Sequence, residues 1–161
     1  MPKITEIGKL MERMYKLWKI RARSEKEIRD YFRIKNQEYR IKGKIQASDL
    51  IVELVIKKLK QINLLNDLEF AKAWVDARSK KKGMRVIKGE LFKKGISKEI
   101  IDEVTDIELN QENTAKRLLE RRLSRIHSRK QAYEFLLRRG FEYELVKVVV
   151  EKLLKKKYTT L

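Results

Sequence analysis

Apolar residues recur at helical spacing through nearly the whole chain, and two short phrases repeat each other. Gly83-Met-Arg-Val-Ile-Lys-Gly-Glu-Leu-Phe-Lys-Lys-Gly-Ile96 is echoed by Ser128-Arg-Lys-Gln-Ala-Tyr-Glu-Phe-Leu-Leu-Arg-Arg-Gly-Phe141. Each phrase predicts an amphipathic helix ending in two cations, a glycine and one large apolar residue. The two glycines, Gly95 and Gly140, stand 45 positions apart. A fixed-period echo marks a repeated supersecondary unit.

The clearest unit spans Asn66–Asp106. Asn66 or Asp67 is a candidate N-cap, and Phe70, Ala71, Trp74 and Val75 form an apolar stripe through Arg78. Lys80-Lys-Lys-Gly83 breaks the pattern. A second helix carries Ile87 and Leu91 on one face and stops at Gly95, a natural C′ glycine. Ser97 caps a third helix with Ile100, Ile101 and Val104. The next unit repeats this order: Thr114–Arg122 parallels Phe70–Arg78, and Ser128 opens a helix with Leu136 and Gly140 at the matching places. Leu145, Val146, Val149 and Leu153 carry its last helix.

A looser copy occupies the N-terminal third. Tyr15, Leu17 and Trp18 belong to its first helix, Ser24 caps a second bearing Ile28 and Phe32, and Asn36 sits where the glycine would be. About ten additional residues, Gln37–Gln46, precede Ser48, which caps Leu50–Ile56. Within them Tyr39-Arg-Ile-Lys-Gly-Lys-Ile45 alternates apolar and cationic residues, read as a mobile basic loop rather than a hairpin.

The expected fold is therefore all-α: three tandem three-helix repeats stacked into an elongated, curved solenoid, because one such unit cannot bury its own apolar faces. The expected units are 1–64, with the basic insert near 37–46, 65–108, and 109–161 with a basic tail.

Charge changes the picture more than composition does. Forty-one Lys and Arg against 23 Asp and Glu leave +18, which attracts polyanions, nucleic acid first among them. The densest patch is Arg78–Lys98: Arg78, Lys80, Lys81, Lys82, Arg85, Lys88, Lys93, Lys94 and Lys98 against Glu90 alone. The last unit supplies Arg117, Arg121, Arg122, Arg125, Arg129, Lys130, Arg138 and Arg139. Stacked repeats could align these into a stripe whose binding is strong, salt-sensitive and tolerant of sequence. Trp74, Phe70, Phe92, Phe135 and Tyr133 are candidates for stacking on bases, although Trp74 and Phe70, at helical spacing among Ala and Val, are read as core.

Other chemistry finds little support. The chain has no Cys, so no disulfide or thiolate metal site is possible. Glu99, Asp102, Glu103 and Asp106 share a helix and are read as a solvated face, not a magnesium site. His127 is the only histidine and lacks partners for a metal. There is no Gly-x-x-x-x-Gly-Lys-Ser/Thr loop for ATP and no nucleophile with a base beside it. Neither enzyme activity nor a cofactor is expected. The first ten residues lack the apolar run of a signal peptide and no stretch is long enough to span a bilayer, so the expected location is the cytoplasm, with no membrane partner.

The segment Asn66–Arg78, followed by Gly83, Ile87, Glu90-Leu91 and Lys94-Gly95-Ile96, resembles the central repeat of the RecX family, regulators of the RecA recombinase. Phe135-Leu-Leu-Arg-Arg-Gly-Phe141 is similar to that family's C-terminal repeat, and Ser24 with Glu27-Ile28 matches less closely. The resemblance covers roughly Tyr15–Leu154. The family's loop near Met84-Arg85 usually holds a second glycine and a proline, and neither occurs here. The resemblance implies a modular three-helix fold, docking in the groove of the RecA–single-stranded DNA filament as a monomer, and inhibition of strand exchange and ATP turnover in recombination, DNA repair and the SOS response. Double-stranded DNA is a further expected ligand. Two other readings remain open: a general basic DNA- or RNA-binding helical protein without a recombinase partner, and a helical adaptor whose charge serves solubility.

Overall fold

A computed structural model describes residues 4–106 and 110–158, with side chains from 6 to 106 and from 110 to 154. The side chains of the basic tail, and the expected unit boundary at 108, lie outside the described residues. Among the described residues there are nine α-helices, one 3-10 turn and no strand. In chain order they are α1 Ile4–Ile20, α2 Glu25–Ile41, α3 Asp49–Gln61, α4 Asp67–Ser79, α5 Met84–Lys93, α6 Lys98–Thr105, α7 Gln111–Glu120, the 3-10 turn Leu123–Arg125, α8 Arg129–Arg138 and α9 Tyr143–Tyr158.

Local chemistry accounts for the starts and stops. Ser24, Ser48 and Ser128 each accept, through the side chain, the N–H three residues on. Ser24 and Glu27 complete a reciprocal capping box. Asn66 rather than Asp67 caps α4, its Oδ1 accepting the Glu69 N–H at 3.1 Å. Gly95 and Gly140 sit at φ +76° and +86°, the left-handed conformation in which a helix ends at low cost when the residue has no Cβ.

The chain divides into two compact units: residues 1–70 with 94–97, and 71–93 with 98–161. In the first, α1 and α2 pack on α3 around Met14, Ile28, Phe32, Val55 and Leu59. In the second, α9 packs on α7 and α8 around Leu119, Leu136, Phe141, Val146 and Val150. There α5 lies on α6, with Ile87, Leu91, Ile101 and Val104 buried.

Tyr15, Leu17 and Trp18 lie on α1 as expected; its buried seam is Leu10, Met11 and Met14, with Leu17 and Trp18 half-buried and Tyr15 exposed. Two expectations need correction. Asn36 does not end α2: its side-chain amide pairs with both backbone groups of Ala47, at 2.7 and 3.0 Å. That clamp ties the helix to the segment entering α3, so Gln37–Ile41 continue α2 where a loop was expected. In α9 the buried positions are Val146, Val149, Val150 and Leu154, with Leu145 and Leu153 half-buried.

One joint occurs twice. In the first unit the Ser24 hydroxyl donates to the Lys94 carbonyl at 2.7 Å, and the Lys94 ammonium meets Glu27 at 2.6 Å. In the second, the Gly83 N–H donates to the Arg139 carbonyl at 2.8 Å and the Arg85 N–H to the Gly140 carbonyl at 3.2 Å. Ser24 and Gly83 both stand four residues before the buried isoleucine of their helix, Ile28 and Ile87. Lys94 and Arg139 both precede the terminal glycine. The turn that ends one middle helix therefore docks on the start of an earlier one. At the second joint the backbones touch: a Cβ on Gly83 would lie 2.2 Å from the Gly140 carbonyl carbon and oxygen.

The first joint is sensitive to acid. Burial alone would push the Glu27 carboxyl up, but hydrogen bonds from Arg21, Lys94 and the Ser24 N–H outweigh it and bring it from an ordinary 4.5 down to about 2. A carboxyl depressed in the folded state adds stability above its unfolded value, and that contribution is lost as pH falls through the folded one. We expect denaturant titrations between pH 5 and 2 to show a loss of roughly 1–2 kcal/mol from this group, after allowance for solvent screening. Glu27→Gln should flatten that part of the profile. An unchanged profile in the variant would remove Glu27 as its cause.

Candidate nucleic-acid interface

The cations of Arg78–Lys98 do not act alike. Glu90, the one carboxylate in the stretch, sits on α5 facing α4 and collects three donors. Trp74 Nε1 reaches it at 3.0 Å, Lys82 Nζ hydrogen-bonds it, and Arg78 Nε stands 3.8 Å away. The Arg78 guanidinium also lies over the Trp74 ring, 4.5 Å from its centroid. Burial raises the Glu90 carboxyl, yet the bonds from Lys82 and Trp74 leave it below its ordinary value. Arg78 and Lys82 are thus spent on holding α4, the following turn and α5 together. Lys94 is likewise committed to Glu27.

The remaining members are more open. Lys80 and Lys88 make loose exposed pairs with Asp76 at 3.7 Å and Asp102 at 3.6 Å, contacts worth little in water. Arg85 donates one N–H to the Leu137 carbonyl at 3.0 Å, leaving four others. Lys81 and Lys93 are exposed and make no ion pair among the described residues.

The arginines between α7 and α8, and those on α8 and at its end, behave differently. No carboxylate stands within ion-pair distance of Arg121, Arg122, Arg125, Arg129, Arg138 or Arg139 among the described residues. Arg122 and Arg139 both lie over the Phe135 ring, 5.1 and 4.0 Å from its centroid. Arg122, Arg125 and Arg138 line a recess of about 320 Å³ with Ile126, Gln131, Glu134 and Phe135. Burial, then the charges of Arg122 and Arg138, hold the Arg139 guanidinium below its ordinary value. A cluster of planar forks with one carboxylate, Glu134, in the same recess and none within ion-pair distance favours a bound anion, and guanidinium suits phosphate oxygens in particular.

The candidate stacking aromatics also separate. Phe70 is buried, Trp74 is engaged with Glu90, and Phe135 is buried under its two guanidiniums. Tyr133 is half-buried beside Tyr143, ring centroids 5.9 Å apart. Phe92 alone of the five stands in the open, 74% exposed. Its place off the Ile87–Leu91 seam was the available signal. On α6, Asp102 and Glu103 are exposed, and no group of three His, Asp or Glu is placed to hold a metal among the described residues. His127 is exposed; its N–H donates to Gln131 Oε1 at 2.8 Å.

Residues 66–104 match the family model of the RecX second three-helix domain. The chain is 33% identical to the regulatory protein RecX of Listeria monocytogenes serotype 4b (strain CLIP80459) over 138 residues, covering 80% of this chain and 48% of that one. With its counterpart in Clostridium perfringens (strain 13 / Type A) it shares 28% over 146 residues, covering 84% and 64%. The crystal structure of RecX from Lactobacillus salivarius superposes with a TM-score of 0.75 at 23% identity, covering 92% of this chain and 97% of that one, a likeness of fold. Fold and surface define a basic, all-α repeat protein. The chain belongs to the RecX family. It spans about half the length of the Listeria relative and under two thirds of the Clostridium one.

No helix among the described residues is long and apolar enough to cross a membrane.

Proposed function

We propose that this protein regulates the RecA recombinase by binding rather than by catalysis. It docks in the groove of the RecA–single-stranded DNA filament and suppresses ATP turnover and strand exchange. Family membership supports the partner. The observation that carries the DNA contact is the set of arginines in the α7–α8 connection and along α8 to its end that make no ion pair among the described residues, since such guanidiniums gain most from phosphate.

In this reading Arg121, Arg122, Arg125, Arg129, Arg138 and Arg139 are the principal phosphate contacts, with Lys80, Lys81, Arg85, Lys88 and Lys93 as a second group. Arg78, Lys82 and Lys94 support the fold. The protein works as a monomer in the cytoplasm, built from three units with bounds near 64 and 108, and binds single-stranded DNA with double-stranded DNA as a second ligand.

RecA ATPase on single-stranded DNA, measured with and without the protein, tests the proposal. Turnover should fall as protein is added, at salt where RecA alone is active. Unchanged turnover together with tight binding to naked DNA would favour a general nucleic-acid-binding protein instead.

A further inference from the structure

Two exposed residues on α5 are not accounted for by its packing. Ile87 and Leu91 are fully buried, and the opposite face carries Arg85, Lys88, Gly89, Phe92 and Lys93, all exposed. Phe92 leaves three quarters of its surface in solvent, which the hydrophobic effect opposes. Gly89, in mid-helix, weakens the helix relative to alanine. Close packing would be the usual reason for such a glycine, yet a Cβ built there meets nothing within 4 Å. What these two residues have in common lies outside the chain. Positions 85, 88, 89 and 92 follow helical i, i+3, i+4, i+7 spacing, so they form one stripe. Gly89 lies about 4.5 Å along the axis from Phe92 at 1.5 Å per residue, and it leaves bare backbone beside the ring.

We propose that this face of α5 is a stacking platform for an unpaired nucleobase, with Phe92 the ring on which the base lies. Gly89 provides the flat approach, and Arg85, Lys88 and Lys93 meet the phosphates on either side. The proposal rests on the reading that the protein contacts single-stranded DNA. Charge decides the occupant: an apolar protein surface gains nothing from three cations on the same exposed helix face as one phenyl ring, and lysine is depleted from the cores of protein interfaces. A single strand offers both a π-face and phosphates at the spacing of successive nucleotides, and stacking of this kind is tolerant of sequence.

The test compares a thymidine 12-mer with an abasic deoxyribose-phosphate 12-mer of equal charge. The parent protein should prefer the thymidine strand by about tenfold or more. Phe92→Ala should bring the two ligands to within about twofold while leaving the slope of log K against log salt unchanged, because every phosphate keeps its cation. Phe92→Trp should keep the preference, and its added fluorescence should be quenched by the thymidine strand and not by the abasic one. Gly89→Leu, which favours the helix, should also abolish the preference, by covering the approach.

The platform is overturned if the parent shows no preference, if Phe92→Ala retains it, or if that variant weakens both ligands equally. It is also overturned if Phe92→Ala impairs inhibition of RecA while the preference survives, since the face would then touch protein. Salt-sensitive binding without any preference removes the platform and leaves the proposed function standing. Binding of neither strand removes the platform and the DNA contact together.

Discussion

Gly83→Ala should destabilise the protein by about 3 kcal/mol, at or beyond the upper end of what overpacking a core costs. The new methyl would fall 2.2 Å from the Gly140 carbonyl carbon and oxygen and 2.3 Å from the Phe141 nitrogen. All three are backbone atoms, so no side chain can swing aside. The Gly83 N–H bond to Arg139 and the Arg85 bond to Gly140 would stretch with the displacement. Gly89→Ala, only six positions along, should do the opposite. Its Cβ enters open space in a helix interior, where exchanging Gly for Ala adds about 0.5–1 kcal/mol. Denaturant midpoints of the two variants read the difference directly. Similar shifts for both would mean that the joint is not formed in solution.

The second large effect is on binding. Replacing Arg122, Arg125 and Arg138 together with Gln should weaken the complex with single-stranded DNA by about a hundredfold at low salt. The slope of log K against log salt should flatten by about 2, near 0.7 for each phosphate no longer neutralised. The three line one recess and make no ion pair among the described residues. Removing their charge therefore leaves no buried charge unpaired, and the helical signal should persist. Replacing Lys80–Lys82 with Glu, the choice suggested by sequence alone, is the poorer experiment. Lys82 is bonded to Glu90, and three new carboxylates beside Glu90 and Asp76 would disturb the fold as well as the charge. If the arginine triple variant binds like the parent across a salt series, its cations are a solvated surface.

What could be read from the sequence was whatever depends on near neighbours. The caps at Ser24, Ser48 and Ser128 work through a bond three residues away, and Gly95 and Gly140 mark helix ends through their own φ. The Ile87–Leu91 face declares itself by spacing. Relations between distant residues were not legible. Nothing local to Asn36 says that it will clasp Ala47 and let α2 run on to Ile41. A window that shows nine cations and one glutamate does not show that Glu90 engages Arg78 and Lys82 while Lys94 turns to Glu27. The same holds for glycines. Gly83 looked like loop punctuation and is a backbone contact across 57 positions; Gly89, in mid-helix, is surrounded by space.

The doubled joint also says something about growth. In both copies the carbonyl before the terminal glycine of a later helix accepts from the start of an earlier one, from a serine hydroxyl at 24 or from a bare backbone N–H at 83. A link accepted by a backbone carbonyl has a direction, head to tail, but no intrinsic count. Whole units can be added or removed by duplication and excision without redesigning those on either side, whereas a deletion of part of a unit strands a joint. Length variation by complete modules is what such a coupling permits.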